Sequence, residues 1–151
     1  TGNTKLMFHV SGHGGGDDEN GSGGLYWNGK PGQKKRERHV TGKILAELIL
    51  LNGVEKVALF MLNACCTLQT GLMLQAVGVE NVLCWQERVK DSTSREFAQR
   101  FYKLLSESPG ECKRCFNIVC RGDASGDRLR PFECSALPPS GAPPVWRFLL
   151  S

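Results

Sequence analysis

Two kinds of side chain in this sequence are suited to nucleophilic chemistry, and they sit in separate turns. Cys65 and Cys66 are adjacent within residues 56–71, KVALFMLNACCTLQTG. His13 lies well upstream in Ser11-Gly12-His13-Gly14-Gly15-Gly16. An unperturbed thiol, with a pKa of about 8.5, is only a few per cent thiolate at neutral pH. A neighbouring imidazole can take its proton, pair with the thiolate and later protonate an amine leaving group. An acyl-enzyme route also needs donors for the tetrahedral oxyanion. Backbone N–H groups serve where no side chain intrudes, and Gly14 and Cys65 are the natural suppliers. The glycines after His13 let a substrate backbone come close.

The elements that must position these groups follow from the pattern around them. Residues 57–62 form an apolar run that predicts a buried strand, and it stops at Asn63-Ala64. From Thr67 the apolar residues Leu68, Leu72, Leu74 and Val77 predict a helix to about residue 77. A strand that ends in a polar turn and feeds a helix places that turn at the carboxyl edge of a sheet, where open α/β sheets keep their ligands. The helix N-terminus favours a thiolate there. Residues 5–10 predict a second strand, which the glycine run after Ser11 should end. If the two strands run parallel in one sheet, both turns open at the same edge and His13 comes beside Cys65.

The rest of the chain alternates strand and helix. Leu25-Tyr26-Trp27 reads as a strand running into a tight turn at Asn28-Gly29. Residues 29–38 read as a loop, and Thr41 as the N-cap of a helix to about Leu51 with Asn52-Gly53 as its stop. Residues 81–86 form the next strand. Asp91 or Ser92 caps an amphipathic helix to about Ser106, with Phe97, Phe101, Leu104 and Leu105 on one face. Pro109 suits the first turn of another helix that carries Cys112, Cys115, Phe116 and Val119 towards the core. Residues 124–142 carry no pattern, and 145–150 read as a last strand. This order predicts an α/β layer with a mainly parallel sheet.

Composition narrows the function. At 151 residues the chain fits one domain with a real core. No apolar run approaches the roughly 20 residues that span a bilayer, so no membrane role is expected. The net charge of +4 comes largely from Lys34-Lys35-Arg36-Glu37-Arg38, with no interleaved aromatics to stack bases, so no nucleic-acid partner is expected. The seven cysteines, without a secretory leader, read as thiols of a reducing, cytoplasmic setting. Cys112 and Cys115 lack a second pair at zinc spacing and no histidine follows His39, so neither metal nor cofactor is expected. The acidic residues Asp17, Asp18 and Glu19 lack the spacing of a calcium loop. His9 reads as a packing residue within its strand and His39 as solvated. His13-Gly14-Gly15-Gly16 also matches the oxyanion tetrapeptide of esterases, but neither Ser22 nor Ser125 sits in the required Gly-x-Ser-x-Gly elbow.

Taken together, Ser11-Gly12-His13-Gly14 after an apolar strand and Leu62-Asn63-Ala64-Cys65-x-Thr67 resemble the caspase–separase clan of cysteine peptidases, and the CHAT domain most closely. Val82-Leu83-Cys84-Trp85, then Val89-x-Asp91, then Phe97 and Phe101-Tyr102, are similar to the tail of that pattern. The resemblance covers about residues 9–105. It implies a caspase-like three-layer α/β sandwich, without the strands that usually precede the histidine strand. It also implies a His13–Cys65 dyad and endopeptidase action on protein or peptide substrates. Thr67 in the family's hydroxyl position favours Cys65 over Cys66. Asp91 would be the pocket acid that reads a basic residue, or merely a helix cap. Trp85 would line the cleft or close the core. Relatives sit beside helical repeats or other partner-sensing segments, so an activating partner is implied. The rival reading is a silent module of the same fold that binds a partner.

Overall fold

The computed structural model describes residues 5–15, 24–27, 38–121 and 146–150. The chain divides into two compact units, Thr1–Glu87 with Val145–Ser151, and Arg88–Pro144. The first unit opens with strands β1 (Leu6–Ser11), β2 (His13–Gly15), β3 (Gly24–Trp27) and β4 (Arg38–Thr41). Helix α1 (Gly42–Asn52), strand β5 (Val57–Asn63), helix α2 (Leu68–Ala76) and strand β6 (Asn81–Trp85) follow. The second unit holds α3 (Asp91–Glu107) and α4 (Cys112–Arg121). Strand β7 (Trp146–Leu150) returns to the first unit.

The main sheet has the order β1-β5-β6-β7. β1, β5 and β6 are parallel, and β7 is antiparallel to β6. This is a mixed α/β architecture with a parallel three-stranded centre, as in part of a caspase-like sandwich. β5 is central and buried on both faces, which is why its sequence is apolar almost without alternation. Phe60 and Leu62 on one face, with Val82 and Cys84 of β6, pack with Ala46 and Ile49 of α1 and Leu74 of α2. On the other face Leu59, Met61 and Leu83 are shut from solvent. Burying each such side chain contributes about 1.5–3 kcal/mol.

The register decides where the turns open. Ser11 of β1 pairs with Asn63 of β5, so the two strands end side by side at one edge. The expected shared edge is therefore present. The glycine run does not simply end the strand, however. Gly12 breaks it, and His13–Gly15 starts again as β2 of a second sheet, order β2-β3-β4. His13 pairs with Tyr26 and Gly14 with Leu25. Cross-strand pairing overrides the poor strand propensity of glycine here. β4 corrects the loop reading of residues 29–38 at its end. Arg38 and His39 are basic, yet they pair with Trp27 and Tyr26. Leu25 is only 2% exposed and joins the core of the main sheet, which ties the small sheet to it.

Thr41 caps α1 as expected, its Oγ1 accepting from the Ile44 N–H at 3.2 Å, and Gly53 closes the helix with its N–H on Leu50 O. In the second unit the cap expectation needs correction. Lys90 is the N-cap, with no capping hydrogen bond from its side chain, and Asp91 is the first helical residue. A carboxylate in a first turn is favoured by the helix dipole without capping it. Phe97, Phe101 and Leu105 form the buried face of α3, while Leu104 is half-buried. Pro109 and Gly110 form a turn, and α4 begins only at Cys112, with the Cys115 N–H on Glu111 O. Phe97 meets Phe116 edge-on at 6.1 Å. Cys112, Cys115 and Val119 are buried as expected, and burial pushes the Cys115 thiol pKa up. Burial and then the nearby Cys112 push Tyr102 up to about 12.

His9 stands exposed on the edge strand rather than packed, although desolvation of its ring lowers its pKa. The turn at Asn28-Gly29, the acidic stretch 17–23, most of the basic run and residues 124–142 lie outside the described residues. Among the described residues no helix is long and apolar enough to cross a membrane.

Candidate active site

The turn after β5 is held by the end of β6. Asn63 is 6% exposed, and its Oδ1 accepts from Trp85 Nε1–H at 3.0 Å. Thr67 is fully buried, and its Oγ1 accepts the Trp85 N–H at 3.1 Å. The Thr67 hydroxyl has Ala64 O at 3.1 Å and Leu62 O at 3.3 Å as acceptors for its own proton. The Thr67 N–H donates to Trp85 O at 2.8 Å, and the Cys66 N–H donates to Glu87 O at 3.1 Å. Each such bond is worth about 1 kcal/mol net, and more is lost if a buried partner is orphaned. The residues between Asn63 and Thr67 are thereby fixed at both ends.

Cys65 and Cys66 ride on this frame, both half-buried. Cys66 has φ +53°, in the left-handed region that a side chain other than glycine adopts at a cost. The backbone reversal it supports turns the chain from the strand into α2.

His13 opens β2 and is exposed. Gly14 beside it abuts the turn. A Cβ placed on Gly14 would collide with Cys65 O and stand 2.9 Å from its carbonyl carbon and 3.1 Å from its nitrogen. No side chain fits between these two backbones. The sheet edge and this contact bring the His13-Gly14 segment directly against the Cys65 backbone.

The comparison with known families decides what this pairing belongs to. The model of the CHAT domain matches residues 6–113, from β1 into the start of α4. The chain belongs to the CHAT domain family. CHAT domains form a caspase-like peptidase family, and the match spans both turns and the Trp85 segment. A search of curated proteins finds no match to the chain.

Within the CHAT domain the other candidate residues fall as follows. Trp85 is fully buried, with its Nε1–H on Asn63 Oδ1. Asp91 is exposed at the start of α3 in the second unit. Two residues hold the turn in ways the sequence does not announce: Asn63, which ends the strand and belongs to the family motif, accepts from Trp85, and the Glu87 carbonyl accepts from Cys66. Glu87 carries a carboxylate oxygen, Oε2, that is buried with no hydrogen-bond partner among the described residues. A polar residue closing an apolar strand was the available signal for Asn63; nothing in the local sequence marks Glu87.

Proposed function

We propose that this CHAT domain is a cysteine endopeptidase that cleaves peptide bonds of protein substrates through an acyl-enzyme. The abutment of Gly14 on Cys65 carries the reading, because it joins the histidine turn to the cysteine turn. His13 is the base and Cys65 the nucleophile. His13 takes the thiol proton, the thiolate attacks the scissile carbonyl, and the protonated imidazole then supplies the proton to the leaving amine. The N–H groups of Gly14 and Cys65 stabilise the oxyanion. Water then attacks the thioester, with His13 accepting its proton, and releases the acid product. No metal or cofactor takes part.

Asp91 supplies negative charge for a basic substrate residue. Glu87 is a second acid for that role, since its Oε2, unpartnered among the described residues, lies in the residue whose carbonyl holds Cys66. Residues 1–151 act as one peptidase domain or as its catalytic part, in the reducing cytoplasm. A protein partner or a flanking region switches it on, by the gating logic common to enzymes whose sites are completed by loop movement.

Fluorogenic peptides with arginine or norleucine before the reporter test this. The wild-type chain, with its flanking regions where activation needs them, is expected to hydrolyse the arginine peptide faster. Cys65→Ala should abolish hydrolysis, and Glu87→Gln should narrow the preference. Hydrolysis that survives Cys65→Ala would overturn the reading.

A further inference from the structure

The second thiol of the turn has no part in the peptidase chemistry. Cys66 occupies a left-handed backbone position, φ +53°, where glycine is the favoured residue. It is half-buried like Cys65, whereas Cys84, the other described cysteine of this unit, is fully buried. We propose that Cys66 is a resolving thiol, which converts Cys65 oxidised by a hydroperoxide into a Cys65–Cys66 disulfide. The inference rests on Cys65 being the activated nucleophile of the proposed peptidase.

The chemistry balances with the hydroperoxide as sole oxidant. The Cys65 thiolate attacks the terminal peroxide oxygen, the O–O bond breaks, and the alkoxide or hydroxide leaves and takes up a proton. Cys65 sulfur has then lost two electrons and carries a hydroxyl as the sulfenic acid. The Cys66 sulfur attacks it, the S–S bond forms, the S–O bond breaks, and the hydroxyl departs as water with the Cys66 proton. The disulfide has no free thiolate, so the peptidase is off until a cellular dithiol reduces it.

Adjacency keeps the second thiol at hand for this step. Cys66 is the nearest thiol by covalent connection, and a tethered reactant outcompetes one in solution. The peptide bond between the two residues is trans, so their Cα atoms stand about 3.8 Å apart. That is shorter than the usual disulfide span of about 4.4–6.8 Å. Such a ring is strained, and strained disulfides are the readily reduced, labile ones. The outcome is a sulfur protected from irreversible oxidation and easily reset.

The test is mass spectrometry of the full chain after limited hydrogen peroxide, digested without reduction. Wild type should lose two hydrogens across Cys65 and Cys66 and regain them with dithiothreitol. Cys66→Ser and Cys66→Gly, the latter suited to the positive φ, should instead accumulate Cys65 carrying two or three oxygens. That accumulation should exceed wild type by at least ~10-fold. Equal oxygen uptake in wild type and both variants, a bridge from Cys65 to another cysteine, or no change at Cys65 would each overturn the proposal. Hydrolysis by the reduced protein is read separately, so loss of the disulfide result and loss of peptidase activity are distinct outcomes.

Discussion

Gly14 and Cys65 meet backbone to backbone, with no room for even one methyl group between them. The contact joins residues that lie far apart in the chain. It exists because β1 and β5 end side by side and because the chain re-enters a second sheet at His13. Gly14→Ala must therefore push the two segments apart. The expected cost is about 2–3 kcal/mol of stability, as for other overpacked sites, together with loss of Cys65 reactivity. Denaturant midpoints and thiol labelling of the folded variant measure the two effects. Full reactivity in Gly14→Ala would show that the contact does not shape the site.

Thr67 should matter more than its size suggests. Its hydroxyl accepts the Trp85 N–H and faces two backbone carbonyls in a fully buried position. Thr67→Val keeps the volume and removes the hydroxyl bonds to Trp85, Ala64 and Leu62, at a cost of about 1–3 kcal/mol. Thr67→Ser keeps the hydroxyl and should recover most of the loss. Equal stability of the valine and serine variants, by urea denaturation, would count against this role.

The second unit carries a pH signature. Burial and the neighbouring Cys112 hold the Tyr102 phenol protonated up to about 12, against 10.0 for a free tyrosine. As pH rises, the unfolded chain loses that proton first. The stability linked to Tyr102 is thus fully present below pH 10 and is lost as pH climbs towards 12. Denaturation midpoints followed upward from about pH 9 should fall less steeply in Tyr102→Phe than in wild type. Identical slopes would contradict the shift.

How much of this was legible in the sequence follows from the range of the forces involved. β5 announces itself, because a strand buried on both faces must be apolar throughout. Thr41 and Gly53 mark α1 because caps act locally. The shared edge of β1 and β5 followed from parallel α/β logic. β2 and β4 were hidden, since glycines and basic residues carry no strand signal and only pairing with Tyr26 and Trp27 makes them strands. Lys90 was hidden as the cap of α3 for a different reason: lysine carries no side-chain oxygen to mark a cap. At the site, the approach of the His13-Gly14 segment to the Cys65 turn was readable from the shared strand edge. The lattice of Asn63, Thr67, Trp85 and Glu87 was not, because it consists of hydrogen bonds between residues distant in sequence.

The central claim is that His13 activates Cys65. A peptidyl chloromethyl ketone ending in arginine tests it, with the adduct located by mass spectrometry and its rate of formation measured. The adduct is expected on Cys65, absent in Cys65→Ala, retained in Cys66→Gly, and formed at least ~100-fold more slowly in His13→Ala. An adduct on Cys66 that persists in Cys65→Ala, or an unchanged rate in His13→Ala, would contradict it.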